Sequence, residues 1–244
     1  MVRGAREGAK EAALRRSLIL ILLASACAMS LHASETRILN GTVAADDLKR
    51  IALDAGVGDV DVIPSDDGSV HYKVTLRPRR GGIFSSMKRA ERDVREAELE
   101  ADVAGAELRL RIDSSSEDRR FEENWEVAMP AHLVFELDLG VGDVEIRGLS
   151  GGIEVDAGVG DLVIDTLAGP VSVDTGVGDV MVKGRAAEYG RVECSTGVGD
   201  ASIRVRGASV SSDGFVGHSA DWSGDGRHEI QIDLGVGDAK VRLD

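Results

Sequence analysis

The residues with the clearest chemical potential in this chain are aspartates that end a repeated Gly-Val-Gly-Asp tetrapeptide. The tetrapeptide occurs six times, ending at Asp59, Asp143, Asp161, Asp179, Asp200 and Asp238. Another aspartate stands before most copies, which gives the pattern Asp-x-Gly-Val-Gly-Asp. If the repeats stack, equivalent carboxylates lie close together and repel one another. A bound cation or a set of hydrogen bonds must then offset that repulsion.

Two interpretations of these aspartates follow. In the first, Asp143, Asp161, Asp179 and Asp200 are calcium ligands, as in RTX rolls. RTX repeats recur about every nine residues and carry ligands in both turns, whereas this chain has acids in one turn of each repeat. In the second, each aspartate accepts N–H hydrogen bonds from its own glycine-rich turn and points into water. The pattern favours turn chemistry, so no cofactor is expected, with calcium as the alternative.

Signals for catalysis are weak in this sequence. The stretch Gly148-Leu-Ser150-Gly-Gly152 fits the nucleophile-elbow pattern, but a strand rather than a helix follows it. The many acids could form the carboxylate pair of a polysaccharide-active enzyme. Catalytic clusters are usually unique, however, and these acids recur at one position of every repeat. We therefore predict that the chain is not an enzyme, and a polysaccharide-active enzyme is the alternative.

A basic segment interrupts an otherwise acidic chain, which carries 29 basic and 43 acidic residues. Residues 77–95 contain seven cations, namely Arg77, Arg79, Arg80, Lys88, Arg89, Arg92 and Arg95. We predict that Arg79, Arg80, Lys88 and Arg89 contact an anionic envelope component or surface; the alternative is a solvated loop that only balances charge. The net charge of −14 argues against a general nucleic-acid binder, which needs a basic face.

Residues 1–33 read as a secretory signal peptide. Five basic residues precede the apolar run 18–26, which is too short to span a bilayer. Cleavage after Ala33 is the expected processing; lipidation of Cys27, or retention as an uncleaved anchor, are the alternatives. Removing residues 1–33 leaves 24 basic and 41 acidic residues, a net charge of −17. We therefore expect an exported protein of the periplasm or cell surface, without a specified oligomeric state.

The spacing of the tetrapeptides predicts the elements that position these residues. From Asp143 onward the intervals are 18, 18 and 21 residues, and a degenerate copy ends at His218. Around each copy, two alternating strands flank a glycine turn, with Ile153, Val155, Ala157 and Val159 expected to face inward before the turn. Cys194 alternates in phase with Val192, so we expect it to be a small buried residue.

The predicted fold is all-β: a parallel β-solenoid, or flattened β-helix, with 18–21 residues per coil and an inserted hairpin and short helix. The proposed domains are the signal peptide 1–33, N-terminal strands with the first repeat over 34–63, a basic insertion with a β-hairpin over 64–124, and the repeat array over 125–244. The short helix is expected from about Ser86 to Ala97, and the hairpin turns around Gly105.

The order of these motifs resembles a bacterial family of domains of unknown function, the toast-rack-like putative-adhesin β-solenoids. The resemblance is carried by Val127-Ala-Met129-Pro130, by the alternating strand Leu133–Asp138, and by the serial glycine turns. It implies an exported, envelope-associated protein that is mostly parallel β-structure, and it transfers no catalytic residues. Together these features predict a noncatalytic envelope protein that binds or scaffolds, with an adhesin-like role.

Overall fold

The computed structural model describes residues 36–79, 87–114, 120–206, 208–212 and 217–244. The predicted signal peptide, including Cys27, lies outside these residues, and so does Arg80. In chain order the elements are β1 (Arg37–Ala44), β2 (Arg50–Val57), β3 (Val60–Pro64), β4 (Ser69–Pro78), α1 (Met87–Glu96), β5 (Glu98–Ala104), β6 (Glu107–Asp113), β7 (Phe121–Met129), β8 (Val134–Val141), β9 (Val144–Arg147), β10 (Ile153–Val159), β11 (Leu162–Asp165), β12 (Val171–Val177), β13 (Val180–Gly184), a 3-10 turn (Ala186–Glu188), β14 (Tyr189–Val198), β15 (Ala201–Val205), β16 (Ala208–Ser212), β17 (His218–Ser223), β18 (His228–Val236) and β19 (Ala239–Leu243).

The strands form two large mixed sheets. The ten-stranded sheet has the order β1-β4-β7-β3-β9-β11-β13-β19-β15-β16, and the nine-stranded sheet has the order β17-β14-β18-β12-β10-β8-β2-β6-β5. The middle of each sheet is parallel. The outer strands are antiparallel, in β1–β4–β7 and β15–β16 of the first sheet and in β5–β6 and β14–β17 of the second. The inward side chains of both sheets join one hydrophobic core.

The expectation of a parallel β-solenoid is wrong, because this arrangement is a β-sandwich-like fold. Antiparallel pairs end both sheets, and the repeats do not stack in sequence order. Strand β18 lies between β12 and β14, and β19 lies between β13 and β15. Repeat spacing reports how long each repeat is, but it contains no information about which repeat its strands pair with.

Each repeat passes from one sheet to the other at its glycine turn. Strand β10 belongs to the nine-stranded sheet and β11 to the ten-stranded sheet, with Gly160 and Asp161 between them. Ile153, Val155 and Ala157 are buried as expected, because alternate residues of a strand face opposite sides. The inward orientation expected for Val159 is wrong, since this side chain is 46% exposed.

The region between the first two tetrapeptides contributes strands to both sheets and one helix. Strand β4 pairs with β1 and β7, and the β5–β6 hairpin turns at Gly105, whose φ of 64° lies in the left-handed region. The predicted short helix is confirmed as α1, which packs against β4 and β7. The Arg37 guanidinium donates to the carbonyl oxygens of residues 94, 95 and 97 and so caps the helix C-terminus. Among the described residues, no helix has the length and hydropathy to cross a membrane.

Candidate functional site

Close contact between neighbouring turns explains the two glycines of each tetrapeptide. A Cβ on Gly158 would lie 2.4 Å from the carbonyl oxygen of Gly140, and one on Gly160 would lie 1.8 Å from that of Gly142. Gly160 also has a φ of +152°, which other residues rarely adopt. In the last five copies, a Cβ at either glycine would lie within 2.8 Å of a backbone carbonyl oxygen of the neighbouring turn. The two glycine positions are therefore fixed by strand stacking, and the residue between them is left facing solvent.

The final aspartates form a continuous hydrogen-bonded column, here called the aspartate ladder. Every member except Asp200, which ends the column, accepts through Oδ1 the backbone N–H of the equivalent residue on the neighbouring turn, at 2.9–3.2 Å. In spatial order the ladder is Asn124, Asp59, Asp143, Asp161, Asp179, Asp238 and Asp200. The expected acceptor role is present, but the N–H belongs to the neighbouring turn and not to the same turn. The side chains thus join turns that lie far apart in sequence.

His218, which ends the degenerate copy of the tetrapeptide, is not part of the aspartate ladder. His218 begins β17, which runs antiparallel to β14, and it stands opposite Thr196 rather than above Asp200. Its Nδ1 lies 2.8 Å from the carbonyl oxygen of Gly199. The inserted position of β18 also places Asp238 between Asp179 and Asp200.

A second acid row runs across the outer face of the nine-stranded sheet. Its members are in register on neighbouring parallel strands, in the order Asp54, Asp138, Asp156, Asp174 and Asp233. Partial burial, followed by the charges of its two row neighbours, raises the pKa of Asp138. At the other end, hydrogen bonds from Ser195 and then Gln231 lower the pKa of Asp233. Asp138 therefore holds a proton more readily than an ordinary carboxylate, and Asp233 less readily.

A line of exposed valines lies between these two sets of carboxylates and is here called the valine edge. Its members are in register and comprise Val57, Val141, Val159, Val177, Val236 and Val198. The last five are 44–48% exposed. Neighbouring strands lie about 4.8 Å apart, so the valines form an apolar line along the side of the molecule. Sequence analysis missed it because valine in an alternating strand predicts burial.

The calcium candidates Asp143, Asp161, Asp179 and Asp200 are brought into one column but not into a cluster. In the part of the chain that the structure describes, no group of three or more His, Cys, Asp or Glu side chains is placed to hold a metal ion. Calcium needs six to eight oxygen ligands around one point. The Oδ1 atoms of the first three already accept backbone N–H groups. The donor set therefore does not fit a calcium ion, and the ladder is explained by hydrogen bonding.

The described residues of the predicted basic surface belong to two elements of the fold. Arg79 follows β4, whereas Lys88 and Arg89 lie in the first turn of α1. All three side chains are exposed, and Arg80 lies outside the described residues. Their contact with an anionic partner stays a prediction.

Glu123 is a buried acid that sequence analysis did not identify. It lies on β7, is 1% exposed, and its carboxylate accepts the N–H of Gly56 at 2.8 Å and the indole N–H of Trp125 at 3.3 Å. The next residue, Asn124, ends the aspartate ladder. The signal was present in the order Glu123-Asn124-Trp125, where an amide takes the place of the tetrapeptide Asp and Trp125 stands in register with Val60, the residue after the tetrapeptide.

A chain of three polar side chains lies on the outer face of the ten-stranded sheet. Thr42 Oγ1 is 3.0 Å from His71 Nδ1, and His71 Nε2 is 2.8 Å from Asp67 Oδ2. The hydrogen bond from His71 lowers the pKa of Asp67. This order resembles a nucleophile, base and orienting acid. Thr42 and His71 are, however, directly opposed residues of β1 and β4, and the His71 side chain is 42% exposed, so the contact also serves as an ordinary cross-strand pair.

The local contacts of Ser150 and Cys194 fit the structural roles that were expected for them. The Ser150 hydroxyl donates to the carbonyl oxygen of Ala131 at 3.1 Å and sits in a turn before strand β10, so no helix follows it as a nucleophile elbow requires. Cys194 is fully buried, which confirms the expectation from its phase, and burial raises the pKa of its thiol to about 11.

Comparison with solved structures finds proteins that are similar to this chain over most of its length. A crystal structure from Clostridium sporogenes, described as a putative cell adhesion protein, is 17% identical, with a TM-score of 0.56, and covers 86% of this chain and 100% of its own. A putative adhesin from Bacteroides fragilis is 15% identical, covers 85% and 98%, and has a TM-score of 0.36. A putative lipid binding protein from Parabacteroides distasonis is 11% identical, covers 85% and 97%, and has a TM-score of 0.25.

The first likeness shows the fold. The other two are too distant in structure to support any argument. No protein-family model and no curated protein matches this sequence. The expected resemblance to adhesin domains is therefore supported at the level of architecture, and the solenoid part of that expectation is replaced by the two mixed sheets.

Proposed function

We propose that this chain is an exported, noncatalytic binding protein of the cell envelope that contacts its partner through the valine edge. The single observation that carries the proposal is the exposure of five valines in register, at 44–48%. Contiguous exposed apolar surface on a soluble protein usually marks an interaction site. The adhesin-like fold of the Clostridium sporogenes protein and the predicted signal peptide support the exported, envelope-associated part of the proposal.

The residue type along the edge favours a binding role over a position at which valine has no role. Threonine has the same branched shape and suits the same backbone. Threonine at this position would also expose one methyl group fewer, yet valine occupies it in all six turns that have the Gly-x-Gly-Asp pattern. The glycine contacts and the aspartate ladder hold the line rigid before any partner arrives, which lowers the entropy cost of association.

The charges beside the edge specify the partner. The aspartate ladder runs along one side of the valine edge and the acid row along the other, so a second copy or an anionic membrane would be repelled. The surface fits a partner segment that carries both apolar and basic side chains. We therefore assign the valine edge to a basic, apolar segment of a partner protein.

The noncatalytic part of the proposal is supported by the hydrogen bonds and ion pairs of the carboxylates in one surface cleft. A cleft of about 470 Å³ is lined by six acids, Asp59, Asp61, Glu126, Asp143, Glu145 and Asp161. Arg147 pairs with Asp61 and Glu145, Lys73 pairs with Glu126, and the three tetrapeptide aspartates accept backbone N–H groups. A glycosidase instead needs one carboxyl as an acid and another free to act as nucleophile or base.

Binding to a synthetic peptide of alternating lysine and leucine tests the partner assignment. The change is Val159→Thr, Val177→Thr and Val236→Thr together, which leaves charge and backbone preference unchanged. We expect at least tenfold weaker binding by fluorescence anisotropy, with an unchanged melting temperature. The matched control is Val163→Thr, an outward valine on β11 that is 36% exposed and outside the edge. Equal affinity of the triple variant and the wild type would refute the assignment.

Two further measurements address catalysis and export. Hydrolysis of p-nitrophenyl acetate by wild type should equal that of Thr42→Val, and digestion of acidic polysaccharides should produce no unsaturated ends. A rate that depends on Thr42 would contradict the noncatalytic proposal. The N-terminus of the exported protein should read Ser34, whereas a lipidated Cys27 would establish the alternative processing.

A further inference from the structure

The outer face of the ten-stranded sheet carries a row of three cations. Lys183 on β13 stands opposite Arg242 on β19, and Arg242 stands opposite Arg204 on β15. Their chain neighbours Val182, Val241 and Ile203 are buried, so strand alternation places all three charged side chains on the outer face. The fold thus brings together residues from three separate parts of the chain. This set is here called the cation row.

The cation row is not neutralised by acids. Within the described ranges, none of its three members forms an ion pair, and Arg204 Nε donates only to the Ser209 hydroxyl, at 3.2 Å. Asp165 is the register neighbour of Lys183 but makes no ion pair with it, and Asp238 is engaged by Lys240. Like charges directly opposite on paired strands destabilise a sheet. Such an arrangement, in a protein with a net charge of −14, is explained if a ligand supplies the missing negative charge.

A shallow cleft lies beside the row. Its volume is about 160 Å³, and its lining includes Arg204, Arg242, Lys240, Ser202, Ser209 and Met181. The serine hydroxyls can donate hydrogen bonds, and each guanidinium can hold a carboxylate with two parallel N–H bonds. The cleft can therefore bind both the carboxylates and the hydroxyl groups of a ligand.

A strained residue adjoins the same strand. Arg206 follows β15 and has a φ of 47°, and in the described part of the chain it is the only residue other than glycine with a positive φ. Asparagine or glycine would occupy this conformation at lower cost. Backbone strain of this kind is commonly retained near functional surfaces. Here it leaves one more exposed cation two residues beyond Arg204.

We propose that the cation row binds a linear acidic polysaccharide that carries a carboxylate on successive sugar units. The strands that carry the cations lie about 4.8 Å apart, so the row repeats at a regular interval comparable to the length of one sugar unit. A single free phosphate would instead need donors that converge in an enclosed site. This assignment is independent of the valine edge, which lies on a different surface and attracts the opposite charge.

Fluorescence anisotropy with a labelled oligogalacturonate and the full exported chain tests the proposal. Arg242→Gln, at the centre of the row, should weaken binding at least tenfold, and Arg242→Lys should fall between that variant and wild type. The melting temperature of Arg242→Gln should stay the same or rise, because like-charge repulsion is removed. Loss of binding without loss of stability separates a ligand site from a structural role. Rising salt should weaken wild-type binding.

The matched control is Arg147→Gln, which removes one positive charge from the same sheet face. Arg147 differs by being paired with Asp61 and Glu145, so its variant should bind within twofold of wild type. Equal losses in Arg147→Gln and Arg242→Gln would refute a specific row and indicate an effect of overall charge. Wild-type affinity of Arg242→Gln would also refute the proposal. Binding to phosphatidylglycerol vesicles or to inorganic phosphate that depends on Arg242, without binding to oligogalacturonate, would assign the row to those ligands and overturn ours.

Discussion

Replacement of Asp161 by Asn and by Ala isolates the hydrogen bond that joins neighbouring turns. Asp161 Oδ1 accepts the N–H of Asp179 at 2.9 Å, and its own N–H donates to Asp143 Oδ1 at 3.0 Å. Both substitutions remove the same charge between two neighbouring carboxylates, which repel Asp161 by about 0.9 kcal/mol each in water at 4.8 Å. Only Asn keeps an acceptor for Asp179, as Asn124 does naturally at the end of the ladder.

The difference between the two variants is therefore the value of one hydrogen bond. A net contribution of about 1 kcal/mol is typical. We expect Asp161→Asn to lie within about 1 kcal/mol of wild type, and Asp161→Ala to be about 1 kcal/mol less stable than Asp161→Asn. For a domain of this size that gap corresponds to roughly 2–4 °C in melting temperature. The gap should persist at high salt, because screening affects the charge that both variants lack.

Thermal unfolding followed by circular dichroism, with and without a calcium chelator, is the assay. Asp200 provides the control, because it donates to Asp238 but no neighbouring N–H of the described chain donates to its carboxylate. Asp200→Asn and Asp200→Ala should therefore melt together. Identical melting of the two Asp161 variants, or the same gap at Asp200, would refute the ladder as a source of stability. A calcium-dependent rise of many degrees that chelator reverses would show that metal, and not hydrogen bonding alone, stabilises the column.

Four other outcomes are expected. Asp138→Asn should raise the melting temperature at pH 7, because the pKa of Asp138 is raised in the folded state. The charged carboxylate therefore destabilises the fold at neutral pH, and this effect disappears as the pH falls below the usual pKa of Asp. A gain in stability that did not depend on pH would contradict this cause. Gly160→Ala should lower the free energy of unfolding, measured with denaturant, by about 3 kcal/mol or more, because its Cβ would lie 1.8 Å from a carbonyl oxygen. Gly105→Ala, whose Cβ would have nothing within 4 Å, should lower it by only about 1 kcal/mol. The Cys194 thiol, with a pKa of about 11, should not react with Ellman's reagent at pH 8 until the protein is unfolded, and rapid native reaction would disprove its burial. Replacing Arg79, Arg80, Lys88 and Arg89 with Gln should reduce co-sedimentation with anionic vesicles at low salt while leaving folding intact; unchanged sedimentation would reject the basic segment as a contact surface.

Local features of this fold follow closely from sequence. The alternation of Ile153, Val155 and Ala157 predicts the buried face of β10, and the glycine after Ala104 predicts the β5–β6 turn. These features depend on residues within a few positions of each other. The buried state of Cys194 was predictable for the same reason, since its environment is set by strand phase.

Features that depend on which strands pair could not be predicted from the sequence. The insertion of β18 and β19 leaves no trace in the spacing of the tetrapeptides, so a sequential ladder was expected. Val159 was expected inside because alternation was continued through the turn, whereas the chain changes sheets there and turns the side chain outward. The cation row was also hidden, since Lys183, Arg204 and Arg242 become neighbours only through β19.

The inserted position of the last two strands has a consequence for the order of assembly. Without β18 and β19, strands β12 to β15 present open edges in both sheets, and no earlier segment fills the gap. Strands β18 and β19 therefore complete both sheets, and their long-range pairings are slow to form because loop closure must come first. If β12 paired with β14, or β13 with β15, no edge would remain for β18 and β19 to join.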